Sequence, residues 1–550
     1  MSSQNISSPL PDAPVPLQGR DHADLRDPIA PPPSNRGSAR RFPSFWWDRL
    51  FEGGLILSMA LYYIVGNPNL HLGIPARITE INPLYSLPFL LIFAVLCWYR
   101  LPFAIALLPL SLPFYFLPKV VDGPYRFSLV EVTLATCLVV ALLQLLFKRQ
   151  ARQLWPSWSE WRVRFGPFVY PMLVFLAFAA ISILIAYSQK DALRAFREEV
   201  LDPLLYVALA LIYLRSRQDL LRLLMSLVGT GLVIAALGIV QYYFFKNTLQ
   251  LESDGIRRVH AVYGSANSIG LLLDYVFPLL LAFVMARVSW LKRIAGLVLC
   301  LPLLLVLYLS QSHGAQIAIG ISALFIALFS VRNRKYVLIG SALVLVVLSL
   351  SLVFFQGRIS DYLEGHVNQR GISTVSKRFY LWQSALEMIH DSPWLGYGMD
   401  NWLCHYSKND VCNTNLHHYW ILNDPPVTGP STGLSDEPTL SHPHNIFLHV
   451  WVSIGVFGLL AFLVVLILFY WLFARILRYL DTHTVERGEQ LRWMTLGVGA
   501  AMVAALLQGL QDSAFLEQDL AFCFWMLVLS LLLLRLLVGV PWRERRAEPK

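Results

Sequence analysis

The chain has 550 residues, 56% hydrophobic and 14% charged, with a mean hydropathy of +0.54 and a net charge of +9. Soluble domains carry about a quarter charged residues, so this composition excludes a soluble enzyme. The positive charge is no nucleic-acid signature either, because it falls in short clusters between apolar runs, as in the cytoplasmic loops of membrane proteins.

Residues 1–45 are rich in Pro, Ser, Asp and Arg and include Pro31-Pro32-Pro33. Such a segment cannot bury a core and is predicted to be a disordered tail. It lacks the basic-then-apolar layout of a cleavable signal. Apolar runs then recur at roughly 51–66, 83–99, 101–117, 128–147, 167–188, 200–214, 220–244, 268–286, 294–310, 315–331, 336–355, 446–473, 494–510 and 521–540. Each suits a membrane helix, and the runs are too uniformly apolar for barrel strands. The fold class is all-α, an integral membrane protein with about 12–14 transmembrane helices.

Basic clusters follow alternate runs: Lys148 to Arg164, Arg215 and Arg217, Arg287 to Arg293, Arg332 to Lys335, Arg475 to Arg492, and Arg543 to Arg546. By the positive-inside rule both termini are cytoplasmic, and the long polar segment 356–444 is one large extracytoplasmic loop. The expected organisation is therefore a tail (1–45), a helical region (46–355), the loop (356–444), the C-terminal helices (445–540) and a basic tail (541–550).

Cys97, Cys137, Cys300 and Cys523 lie in apolar segments and read as small core residues. Cys404 and Cys412 fall in the loop, where a disulfide and two free thiols both remain open. No fixed-period repeat, Walker loop or dinucleotide fingerprint is present, so no nucleotide cofactor is expected.

The loop ends in His442-Pro443-His444-Asn445, directly before an apolar helix. A helix start offers free N–H groups and partial positive charge, and a neutral imidazole can take a proton from a hydroxyl. The alternative is that one histidine only caps the helix. No H-E-x-x-H occurs and no carboxylate lies close by in sequence, so no metal is expected. Outward-facing cations are the second signal: Arg194, Arg197, Arg257, Arg258, Arg358, Arg370, Lys377 and Arg378. Guanidinium groups near the lipid boundary suit a phosphate or diphosphate; they also suit ion pairs with Glu198, Glu199, Asp254, Asp361 and Glu364. Asp274, inside an apolar run, should face a cavity or a partner. Loop aromatics Trp382, Trp394, Tyr397, Trp402 and Trp420 suit stacking on sugar rings or an interfacial belt.

In order, Arg378-Phe-Tyr-Leu-Trp382, Ser392-Pro-Trp-Leu-Gly-Tyr-Gly398, His442-Pro-His-Asn445 and Gly455-Val-Phe-Gly-Leu459 resemble the O-antigen ligase and polymerase superfamily. Arg257-Arg258 with Gly264-Ser-Ala-Asn267 resembles its upstream "R…G-x-x-x-x-N" element, and Ser310-Gln-Ser-His313-Gly its "S-x-S-R-G" element. His313 stands where the family commonly has Arg, and the usual Pro before Asn267 is missing. The resemblance covers roughly 255–460.

It implies an inverting, metal-independent glycosyltransferase of the GT-C type in the bacterial inner membrane. The donor would be an undecaprenyl-diphosphate-linked glycan, and the acceptor a glycan or lipid hydroxyl at the outer face. His444, assisted or replaced by His442, would be the base. Arg257, Arg258 and Arg378 would hold the diphosphate, and Asn267, His313, Trp382 and Asn445 would support the site. A polytopic transporter of anions or glycans is the rival. It should bind near the bilayer midplane on broken helices, often within inverted repeats.

Overall fold

The computed structural model describes residues 44–70, 76–122, 125–251, 257–330, 374–406, 412, 416–419 and 441–542. The predicted crossing at 336–355, both tails and much of the loop lie outside these residues. Among the described residues the only strands form two short antiparallel pairs, Lys119–Asp122 with Tyr125–Phe127 and Gln250–Leu251 with Arg257–Arg258. All else that is regular is helix, in agreement with the all-α expectation.

The main helices are α1 (Ser44–Ile64), α2 (Leu87–Leu107), α3 (Leu129–Phe147), α4 (Val169–Ile185), α5 (Asp202–Tyr213), α6 (Arg217–Phe244), α7 (Ala266–Met285), α8 (Trp290–Ser310), α9 (His313–Ser330), α10 (Thr374–Asp391), α11 (Ile446–Thr482), α12 (Gly488–Gly509) and α13 (Gln518–Val538). Ten helical segments among the described residues are long and apolar enough to cross a bilayer.

Sequence and structure differ in detail at two places. The segment Pro83–Phe114 is one helical run, but it breaks at Arg100 (φ −139°, ψ 52°), two residues before Pro102. Its two ends meet: Lys119 Nζ donates to Ser86 Oγ and to the carbonyls of Tyr62 and Val65 at the end of α1. The carbonyl of Trp98, beside the break, accepts instead from Gln144 and Lys148 at the far end of α3. The run therefore doubles back, which accounts for separate crossings at 83–99 and 101–117. The expected crossing at 200–214 has only a 12-residue α-helix. It continues without interruption from Gln189–Ala195 through a π-helical segment, Phe196–Leu201, whose charges lower its hydropathy.

Helix C-termini at one end of the bundle leave carbonyls without intrahelical partners, and basic residues occupy them. Arg164 donates to Leu211 O, Arg492 to Phe329 O and Arg535 to Val163 O, and Arg475 donates to Trp542 O, beyond the end of α13. This is the end to which the basic clusters of the sequence map. At the opposite end the starts of α7, α9, α11 and α13 gather with the polar residues of the candidate site.

The core lies along α13, 89% of whose apolar window is buried. α7 lies against α12, where Gly497 lets the backbones approach: a Cβ there would sit 3.1 Å from Leu279 Cα. Small residues at such crossings let dispersion contacts hold helices together in lipid.

Candidate active site

Asn445 starts α11. Its Oδ1 accepts from the backbone N–H of Phe447 (3.0 Å) and Leu448 (3.1 Å), satisfying two donors of the first turn. Its Nδ2 donates to Leu510 O at 3.2 Å, tying this turn to the end of α12.

His444 precedes the cap in a left-handed conformation, φ +49°, which costs a side-chain-bearing residue about 1–2 kcal/mol. Two hydrogen bonds hold it there. Its own N–H donates to His442 Nδ1 at 3.2 Å, and Trp382 Nε1 donates to its carbonyl at 3.3 Å. The turn aims the imidazole at the loop between α12 and α13, where Nδ1 lies 2.7 Å from Asp512 Oδ1. Asp512 Oδ1 also accepts from Ser513 N–H at 2.9 Å, and Ser513 Oγ lies 2.6 Å from His449 Nδ1. No hydrogen bond occupies His444 Nε2 among the described residues. His442 Nε2 sits 3.4 Å from Glu517 Oε1 and 3.9 Å from Asp512 Oδ1.

The electrostatics follow from this packing. Burial is the largest influence on Asp512 and pushes its pKa up. The charge and hydrogen bond of His444, with His442 and Arg378 behind it, outweigh burial and hold the carboxylate well below its usual range. Burial, then the neighbouring His444, His449 and Arg378, push His442 well below the usual imidazole value, against the pull of Asp512. His442 is therefore neutral. Because its Nδ1 accepts from an amide, its single proton sits on Nε2.

His442, His444 and Asp512 offer three ligand atoms within 4.8 Å of one another. Two of them are already spoken for by the hydrogen bonds above, and we assign no metal to the set.

A second motif fixes the frame. α11 breaks at Gly455 (φ 82°, ψ −179°), which releases carbonyls and an N–H from the helical ladder. The turn Pro393–Gly398 takes them up: Tyr397 N donates to Val452 O (2.7 Å), Gly398 N to Ser453 O (3.1 Å), and Val456 N to Pro393 O (3.0 Å). Trp451 Nε1 adds a bond to Pro393 O at 2.9 Å. The fit admits no side chain, since a Cβ on Gly455 would lie 2.1 Å from Trp394 O and one on Gly396 2.3 Å from Val452 O. Asn401 fastens the next residues to Ser188, beyond α4, through bonds in both directions. The loop thereby clamps the segment of α11 that presents the histidines. Cys404 and Cys412, left open by the sequence, are bridged as a disulfide.

The sequence-derived residues fall into two neighbouring groups. His442, His444, Asn445, Trp382 and Arg378 converge on residues 508–517, with Arg378 Nη1 3.5 Å from Gln511 Oε1. Arg258 and Asn267 form the second group: Arg258 Nη2 donates to Asn267 Oδ1 (2.5 Å) and Nε to Ser310 O (2.8 Å). The start of α9 links them, because Gly270 on α7 abuts Ser312, and Gly314 faces Gln508 and Gln511. His313 is exposed there beside Gln316. Arg257 is exposed on its strand and makes no ion pair among the described residues. Arg194 and Arg197 follow the ion-pair alternative, binding Asp400 and the pair Glu131 and Glu198. Asp274 is fully buried, and neither of its carboxylate oxygens has a hydrogen-bond partner among the described residues. Arg358 and Arg370 lie outside the described residues.

Residues 295–463 match the family model described as O-antigen ligase. The match runs from α8 into α11 and contains Arg378, Trp382, the Gly396–Gly398 turn and His442–Asn445. Arg258 and Asn267 precede it, and Asp512 follows it. No curated protein matches the chain. Fold and site define a multi-pass α-helical membrane protein, and the domain supports a function of the membrane glycosyltransferase type. The matched domain, residues 295–463, supports a relation to the O-antigen ligase/polymerase superfamily.

Proposed function

We propose that the protein transfers a glycan from an undecaprenyl-diphosphate-linked donor to an acceptor hydroxyl at the outer face of the bacterial inner membrane, with both its termini in the cytoplasm. The observation that carries this reading is the His444–Asp512 pair at 2.7 Å, set at a helix start inside the matched domain. Asp512 takes the Nδ1 proton in its hydrogen bond and leaves Nε2 of His444 as the base, the division of labour familiar from carboxylate–histidine pairs.

In the reaction the acceptor O–H gives its proton to His444 Nε2, and its oxygen attacks the anomeric carbon from the side opposite the phosphate. A new C–O bond forms as the sugar–phosphate C–O bond breaks, with inversion, and the electron pair leaves on the diphosphate. Asp512 stabilises the imidazolium that results. Arg258 and Arg378 face the departing charge, with Arg257 as the exposed first contact. Each such group is worth about 2–4 kcal/mol of barrier. Asn267 positions Arg258, His313 lies at the start of α9 between the two arginine groups, and Trp382 and Asn445 hold the His444 turn. The lipid diphosphate is already an activated leaving group, so the chemistry calls for no metal or nucleotide.

The test is glycan transfer in proteoliposomes with an undecaprenyl-diphosphate oligosaccharide, without added metal or nucleotide, comparing wild type with His444→Ala. Transfer by wild type that the variant loses supports the reading, and product length separates ligation from polymerisation. Equal transfer by both would remove His444 from the mechanism.

A further inference from the structure

Glu517 lies in the loop between α12 and α13, where nothing in the sequence marks it out. Its carboxylate closes a chain of contacts that runs to the base. Glu517 Oε1 is 3.4 Å from His442 Nε2, a contact within ion-pair distance. His442 Nδ1 accepts the N–H of His444 at 3.2 Å, His444 is held at φ +49°, and its Nδ1 meets Asp512.

The chain has a direction. A neutral imidazole carries one proton. If that proton moved to Nδ1 of His442, it would confront the His444 N–H donor to donor, and the left-handed turn would lose its main tie. Something must therefore keep the proton on Nε2, and an acceptor facing Nε2 does so. Asp512, at 3.9 Å from the same nitrogen, is already engaged by His444 and Ser513. Among the described residues Glu517 is the acceptor that remains.

We propose that Glu517 is a positioning residue for the transfer reaction: by accepting the Nε2 proton of His442 it keeps Nδ1 bound to the His444 amide and so holds the turn that aims His444 at Asp512. The proposal rests on the glycan-transfer reading above. It adds a second carboxylate–histidine pair, one that acts on the backbone of the base and not on its ring.

Glu517 sits among like charges. Asp519 and Asp512 face it from its own loop and the start of α13, Asp400 from the clamped loop, and Glu199 from the π-helical segment. His442 is the imidazole in contact with it, and Arg194 balances the acids through its pair with Asp400. Burial first, then Asp519, Asp512 and Asp400, push the Glu517 carboxyl up to about 8. As pH rises through that value the group ionises and becomes the stronger acceptor, so kcat should climb across the same interval.

Two substitutions separate the possibilities. Gln retains a carbonyl acceptor for Nε2 but cannot ionise. Leu retains bulk and removes the acceptor. In proteoliposomes with an undecaprenyl-diphosphate oligosaccharide, Glu517→Leu should lower kcat about 10–100-fold, the usual effect of removing such an orienting partner, with little change in donor KM. Glu517→Gln should keep most of kcat at neutral pH and lose the rise through about pH 8. Nitrogen-15 spectra of histidine-labelled protein give a readout independent of turnover. Wild-type His442 should be neutral with its proton on Nε2, and Glu517→Leu should mix the tautomers. Wild-type kcat and pH profile in Glu517→Leu, or a His442 proton on Nδ1 in the wild type, would overturn the proposal while His444→Ala remains inactive. Full activity in His444→Ala would instead remove the parent reading and this one with it.

Discussion

His444 and Asp512 meet at 2.7 Å across 68 residues of sequence, joining the residue before the cap of α11 to the loop that follows α12. On the proposed reading the contact turns a histidine at a helix start into an oriented base. It also makes the base depend on a segment outside the matched domain, which ends at residue 463.

Asp512→Asn keeps the shape and removes the charge that stabilises an imidazolium. Transfer should fall by about 10²–10⁴-fold, as when a buried carboxylate is lost from other carboxylate–histidine pairs. Unchanged kcat in the proteoliposome assay would show that the pair is structural only. The same substitution has a stability signature. A carboxylate whose folded pKa is depressed adds stability above its unfolded value of about 4, and that stability is lost as pH falls toward the folded value. Melting curves of wild type and Asp512→Asn should therefore be furthest apart near neutral pH and converge on acidification.

Gly455→Ala should be severe. Its φ of +82° and the approach of Trp394 O to 2.1 Å from a Cβ leave no room for a methyl group. Strain of about 1–3 kcal/mol for the backbone alone, before any clash, should lower Tm by several degrees. Gly320→Ala on α9, where nothing lies within 4 Å of the added Cβ, is the matched control and should melt like wild type.

The Cys404–Cys412 bridge should persist only if the loop faces an oxidising compartment. In intact cells a membrane-impermeant maleimide should label these cysteines only after an impermeant reductant has been added. Labelling without reductant, or none after it, would contradict the extracytoplasmic placement of the loop.

Asn445→Ala removes a cap that serves two N–H groups and should cost about 0.5–2 kcal/mol. Asn445→Asp keeps the cap and loses the donor to Leu510 O. If the tie to α12 matters for chemistry, Asp at 445 should restore Tm better than it restores kcat. Equal recovery of both would leave the cap as the residue's whole contribution.

The membrane architecture was legible because apolar run length and basic clustering report directly on lipid and its two faces. The break at Arg100 falls between the two apolar runs at 83–99 and 101–117. His442, His444 and Asn445 stand out in the sequence as the end of a polar loop directly before an apolar helix, and Arg378 and Trp382 through the motifs of the resemblance; the structure gathers all five. Asp512 was not, because a single carboxylate between two apolar helices has no periodicity and its partner is 68 residues away. His449 was hidden for the opposite reason, lying one turn inside a span where it reads as part of the apolar face. The arginines show the limit of residue type as a signal. Arg194 and Arg378 look alike in sequence, yet one is paired with Asp400 and the other faces Gln511 beside the histidines.

The clamp at Gly455 has a consequence for how the His444 turn is held. Tyr397 and Gly398 fasten one boundary of the loop to α11, and Asn445 fixes the other on the same helix. Both attachments sit on one helix, so the Pro393–Gly398 turn and the His444 turn share a single frame.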